Sequence, residues 1–169
     1  MSKLKYTEFE VTFQEVPGEI TLCINVSNCP YHCKGCHSPY LQTDCGRPLD
    51  LAFLRGLLTH CIEVNQYPIT CVVFMGDGGN LEELGKLIEF CHEYKLKTCL
   101  YTGNSDPNEA ISKSNNSLDY IKVGPYIPEK GPLNSPTTNQ RFYSIKYEND
   151  NYTLTDLTHK FYENSCKTV

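Results

Sequence analysis

Three cysteines stand close together in the run Cys29-Pro30-Tyr31-His32-Cys33-Lys34-Gly35-Cys36. The spacing Cys-x3-Cys-x2-Cys puts three thiolates on one tight loop, and three thiolates can hold three irons of a four-iron, four-sulfur (4Fe-4S) cluster. No further cysteine follows at a matching interval, so the fourth iron would be open to a small ligand. Structural zinc sites and electron-transfer clusters ordinarily take that last ligand from the protein. A zinc site that recruits Cys23, Cys45, His32 or His37 is the competing reading. Zinc sites usually come from two paired knuckles, however, and this chain has a single cluster of ligands. Coincidental spacing in a chain with 10 cysteines is a third reading. Pro30, Gly35 and the position just behind a strand-like run argue against it.

A second group of residues follows at a distance. Gly76-Asp77-Gly78-Gly79 is a glycine-rich turn whose backbone amides could face a charged or zwitterionic ligand, with Asp77 able to hold an ammonium group. The bland alternative is a tight strand-to-helix turn with Asp77 facing water. Thr102-Gly103 offers a hydroxyl and a glycine at a strand end, a combination that ordinary turns also show. Gly35 would let a ligand approach the backbone closely, or would simply turn the chain. Pro132 to Arg141 reads as a polar loop.

Such residues act together only if the fold gathers them. Four nearly continuous apolar runs read as buried parallel strands: Ile20 to Val26, Thr70 to Met75, Thr98 to Tyr101, and Asp119 to Val123. Helical patterns alternate with them. Asp50 is an N-cap ahead of Leu54, Leu57, Leu58, Cys61 and Ile62. Asn80 and Glu83 form a capping box ahead of Leu84, Leu87, Ile88 and Cys91. Asp106-Pro107 starts a third helix. Tyr6 to Phe13 reads as an extra strand, and Phe142 to Tyr147 with Tyr152 to Thr155 as a hairpin turning at 148–151. This strand–helix alternation predicts an α/β fold, an open, partial parallel β/α barrel in one domain over 1–169. The chain is too short for the ~250 residues of a complete eight-unit barrel. In a right-handed wind the loops after the four strands emerge on one rim, at the strands' carboxyl ends. The cysteines, Gly76–Gly79, Thr102–Ser105 and Gly124-Pro125 all fall on those loops.

Composition restricts the function classes. The chain has 169 residues, 40% of them hydrophobic and 21% charged, with a net charge of −5. That balance predicts a soluble globular protein with no strong electrostatic pull toward nucleic acid or anionic membrane. No apolar run approaches a membrane span, and the start lacks a signal-peptide core, so a cytoplasmic protein is expected. Its cysteines are then reduced thiols or metal ligands rather than disulfides. Cys61 and Cys91 fall on apolar helix faces, and Cys71 and Cys99 in strands, as small buried hydrophobes.

On these residues the chain resembles the radical S-adenosylmethionine enzymes. The form Cys33-Lys34-Gly35-Cys36-His37 is similar to that of the activating proteins of anaerobic ribonucleoside-triphosphate reductase. Val73-Phe74-Met75-Gly76-Asp77-Gly78 occupies the place of the family's Gly-Gly-Glu or Gly-Gly-Asp segment. Leu100-Tyr101-Thr102-Gly103, Asp119 to Tyr126 and Ser135 to Arg141 resemble later parts, so the likeness extends over nearly the whole chain. The resemblance implies that Cys29, Cys33 and Cys36 bind the cluster, and that the open iron chelates the amino and carboxylate groups of S-adenosyl-L-methionine. It places Gly35, Cys36, His37, Gly76, Asp77, Gly78 and Thr102 near that cofactor, and implies no catalytic side chain beyond the cluster and cofactor. One-electron cleavage would give methionine and a 5′-deoxyadenosyl radical, which takes hydrogen from a glycine of the partner, an anaerobic ribonucleotide reductase. A flavodoxin- or ferredoxin-like protein would supply the electron. The chain departs from the pattern at one point, having Asp77-Gly78 where the family has a second glycine and then an acid. Two other readings stay open: a radical enzyme acting on a small molecule, and a non-catalytic binding or assembly protein on the same fold.

Overall fold

Residues 4–163 are described by the computed structural model, in which eight strands form one mixed sheet. The strands are β1 (Lys5–Thr12), β2 (Thr21–Val26), β3 (Arg47–Pro48), β4 (Cys71–Met75), β5 (Lys97–Tyr101), β6 (Tyr120–Val123), β7 (Arg141–Glu148) and β8 (Asn151–Asp156). Their order across the sheet is β3-β1-β2-β4-β5-β6-β7-β8. The centre is parallel, β2 with β4, β4 with β5 and β5 with β6. Antiparallel strands flank it, β1 and β3 on one side and β7 and β8 on the other. The sheet does not close on itself, and β3 and β8 are its edges.

The parallel strands are formed by residues that can be buried on both faces. Thr21–Val26 and Cys71–Met75 are buried at nearly every position, as expected for strands covered on both sides. The hairpin β7–β8 instead has many exposed positions. Its two-residue loop, Asn149-Asp150, has positive φ at both residues (46° and 63°), which suits the twist of the flanking strands.

Three helices cross between the parallel strands: α1 (Leu51–Thr59), α2 (Leu81–Cys91) and α3 (Pro107–Lys113). Their starts follow the expected chemistry. The Asp50 carboxylate accepts from the Phe53 amide at 2.8 Å. Asn80 Oδ1 accepts from the Glu83 amide at 3.1 Å while Asn80 Nδ2 donates to Glu83 at 3.0 Å. Asp106 accepts from the Asn108 amide at 2.9 Å, with Pro107 first in the helix. Cap bonds of this kind contribute ~1 kcal/mol each. The α1 helix widens into a π turn at His60–Val64, which buries Cys61.

The apolar sides of α1, α2 and α3 pack on one face of the sheet. Leu54, Leu58, Leu84, Ile88, Ala110 and Ile111 join Leu22, Ile24, Val72, Phe74, Leu100 and Ile121 in one cluster. Phe74 is fully buried there, and its loss would cost roughly 3–5 kcal/mol. Cys23, Cys71, Val73, Cys99 and Phe142 form a second cluster with Val16 on the other face. A short helix, α4 (His159–Glu163), sends Phe161 against it. With all three crossovers on one side and β2, β4, β5 and β6 in sequential order, the sheet is wound in one direction, and the carboxyl ends of its parallel strands share one rim.

The predicted elements match, with boundaries shifted by one to three residues. β3, the 3₁₀ turn Pro39–Gln42 and α4 have no counterpart in the sequence pattern: two to five residues carry no periodicity to read.

Candidate functional site

The cysteine loop follows β2 and is held at its base by backbone bonds. The Asn28 amide donates to Thr43 O at 3.2 Å, and the Cys29 amide to Leu41 O at 2.9 Å. Asn28, His32 and Gly35 take positive φ, which coils the chain tightly enough to bring the thiols round. The Cys36 amide donates to Cys33 O, and the Ser38 amide to Cys36 Sγ at 3.4 Å. Cys29, Cys33 and Cys36 are all free and partly buried. All three line one cavity of about 830 Å3 at the rim of the sheet.

That cavity gathers residues from every loop of the rim. His37 comes from the cysteine loop, Met75 and Gly76 from the end of β4, Tyr101, Thr102 and Gly103 from the end of β5, and Lys122 and Gly124 from β6. Gly76 has φ 110°, and a Cβ there would lie 2.8 Å from Val26 O, so no side chain fits this turn. Gln140 reaches the wall from the segment ahead of β7, and Phe13 to Glu15 from the loop after β1. Tyr126 leans over the cysteine loop, its ring 5.3 Å from the His37 ring.

Of the residues expected near a ligand, Cys36, His37, Gly76 and Thr102 are in this wall. Gly35 is behind it, against Pro128 and Tyr126. Gly78 is packed against Leu4 and Val26. Asp77 is buried, and its carboxylate is turned onto protein groups. Oδ2 accepts from the Tyr31 hydroxyl at 2.8 Å and from Thr102 Oγ1 at 2.7 Å, and Oδ1 accepts from the Gly79 amide at 3.0 Å.

Two residues without an assigned role stand at the centre of the site. Lys122 is on the cavity side of β6, between Ile121 and Val123, which face the helices. Its ammonium donates to Gly124 O at 3.0 Å and lies over the Tyr101 ring. Burial pulls it down to about 8, and the Cys33, Cys29 and Cys36 thiols oppose that shift. A charged residue in a strand covered on both faces was the available signal. Tyr31 lines the same wall, and burial pushes its hydroxyl up to about 12. Burial also raises the Cys29 thiol.

Among the described residues, no three His, Cys, Asp or Glu side chains converge on a point that would hold a single ion. A cuboidal cluster requires a different arrangement, with three thiolates set around open space, each for its own iron. Cys29, Cys33 and Cys36 are free, partly buried and on the wall of one cavity, as a cluster site would need. The volume lies within the ~300–1,000 Å3 range of small-molecule sites. Among the described residues no helix is long and apolar enough to cross a membrane. Comparison with known proteins adds no kinship: the sequence matches no protein-family model and none of the curated proteins.

Proposed function

We propose that this chain is a radical S-adenosylmethionine activase on a partial β/α barrel, one that installs a glycyl radical on an anaerobic ribonucleoside-triphosphate reductase. The observation that carries the reading is the set of three thiols, Cys29, Cys33 and Cys36, on the wall of one 830 Å3 cavity at the strands' carboxyl ends. Together, a 4Fe-4S cluster and S-adenosylmethionine would supply one-electron cleavage and hydrogen abstraction at a glycine α-carbon.

The chain's own residues have simpler tasks. Cys29, Cys33 and Cys36 would hold three irons. Lys122 supplies positive charge beside them, suited to balance the anionic thiolates and meet a carboxylate. Gly76 leaves room for close backbone approach at the end of β4. The apolar Met75, Tyr101 and Leu133 flank the polar groups and exclude water from the inner wall. Phe13, which is exposed, and Gln14 belong to the cavity lining, where a peptide loop could approach. A flavodoxin- or ferredoxin-like protein is the proposed electron donor.

A second reading, a binding or assembly protein on the same frame, is favoured by one observation: the Asp77 carboxylate is engaged by Tyr31, Thr102 and Gly79. Oxygen-free purification, iron and sulfide analysis, and electron paramagnetic resonance with a candidate reductase, reductant and S-adenosylmethionine test the proposal. Three to four irons per chain, release of 5′-deoxyadenosine and a glycine-centred doublet are expected. A colourless protein with stoichiometric zinc would overturn it. A loaded cluster without 5′-deoxyadenosine would transfer the case to the second reading.

A further inference from the structure

The three hydrogen bonds to Asp77 come from three separate stretches of chain. Tyr31 is in the cysteine loop, between Cys29 and Cys33. Thr102 follows β5, and Gly79 belongs to the turn after β4. Thr102 Oγ1 also lies 3.1 Å from the Tyr31 hydroxyl and accepts from the Asn104 amide at 3.1 Å. The ring of Tyr31 is fixed from its other side. A Cβ on Gly103 would come within 2.4 Å of Tyr31 Cγ, so the ring rests directly on the backbone there. Hydroxyl and ring together leave Tyr31 little freedom, and its backbone is the link between two of the thiols. Other hydrogen bonds of residues 29–36 close within the neighbouring chain, among them those to Cys33, Ser38, Leu41 and Gln42 and one between the Tyr31 backbone and the Cys29 thiol.

We infer that Asp77 is a positioning residue, which fixes the Cys29 and Cys33 thiols through Tyr31 and makes no contact with a ligand in the cavity. The inference rests on the reading of the cysteine loop as a cluster site and says how that site keeps its spacing without metal. Oδ2 of Asp77 accepts two hydroxyls and Oδ1 an amide, and the residue is 1% exposed and outside the cavity lining, so its carboxylate is not offered to an ammonium group in the cavity. Removing the carboxylate leaves two buried hydroxyls without their acceptor and frees the ring.

The test uses the full chain with Asp77→Ala, Tyr31→Phe, the double variant and Gly103→Ala, the last disturbing the ring without touching the carboxylate. In the iron-free protein, iodoacetamide labelling of Cys29 and Cys33 is followed by peptide mass spectrometry. Each single variant should speed labelling about tenfold, the scale set by loss of a hydrogen bond to a charged group, and the double variant should be no faster than the quicker single one. After reconstitution, each should retain less iron and show shifted g-values of the reduced cluster. The loaded fraction of Asp77→Ala should bind S-adenosylmethionine within about twofold of the wild type, because Asp77 does not line the cavity. A tenfold loss of that affinity in Asp77→Ala, with Tyr31→Phe unchanged in labelling and affinity, would overturn the inference and make Asp77 a ligand contact. Unchanged labelling in all variants would overturn it equally. Failure of the wild type to take up iron would defeat the cluster reading alone, since labelling tests the tie without metal.

Discussion

The protein carries two sets of thiols, and their surroundings are opposite. Cys29, Cys33 and Cys36 are partly buried on a cavity wall, beside the ammonium of Lys122. Cys71, Cys91 and Cys99 are fully buried in the two apolar clusters. Burial pushes the Cys91 thiol up to about 12 and raises Cys71 and Cys99 well above the usual thiol range as well. A thiol so disfavoured as a thiolate neither ligates nor reacts readily, and acts as a small hydrophobe. Residue type is therefore no guide to role among these cysteines. The position on the sheet separates them: the rim set lines a cavity, and the interior set packs in the apolar clusters.

The sharpest way to break this contrast is Cys33→Ala. It should abolish cluster retention, with iron falling from near-stoichiometric to background while the thermal melt stays cooperative. Full iron in that variant would remove the rim set from the chemistry. Cys99→Ala should do the converse. Losing one sulfur from a filled interior costs ~1–2 kcal/mol, visible as a lower Tm, and iron content should equal that of the wild type. A fall in iron as large as the first would erase the distinction.

The smallest effect concerns charge at the opposite end of the strands. Burial pushes the Glu19 carboxyl up, but hydrogen bonds from Lys97, Thr70 and Tyr120 and the Lys97 charge outweigh it and hold the group below the usual carboxylate range. A lowered value means that the ionised form is favoured by folding. The stabilisation is complete above the ordinary value of 4.5 and is lost as pH falls through the lowered one. Since Lys97 is half exposed, about 1 kcal/mol or less is at stake. Glu19→Gln should therefore lower Tm slightly at pH 7, with the gap to wild type closing in acid. Iron content should not follow either change, which separates this pair from the rim.

What could be read from the sequence was what is encoded locally. The cap residues Asp50, Asn80 and Asp106 announce their helices because each bonds an amide two or three residues ahead. The buried runs Thr21–Val26 and Cys71–Met75 announce parallel strands because both faces must be apolar. That Cys29, Cys33 and Cys36 share one wall was legible because they are neighbours in the chain. The role of Asp77 was not, because its side-chain partners are 46 and 25 residues away and meet it only through the register of β2, β4 and β5. A glycine-rich turn suggests an acid offered to a ligand, while this one is folded back onto the protein. Lys122 likewise depends on which face of β6 looks into the cavity.

The one-sided placement of the three crossing helices makes neighbouring residues of a strand answer to unrelated demands. In β5, Leu100 packs beneath the helices while Cys99 and Tyr101 face away from them. Deleting a single residue upstream in that strand would turn it inside out, presenting leucine to the second cluster and tyrosine to the helices. Evolution can therefore exchange residues on either surface separately, but it cannot change the strand's phase without losing both at once.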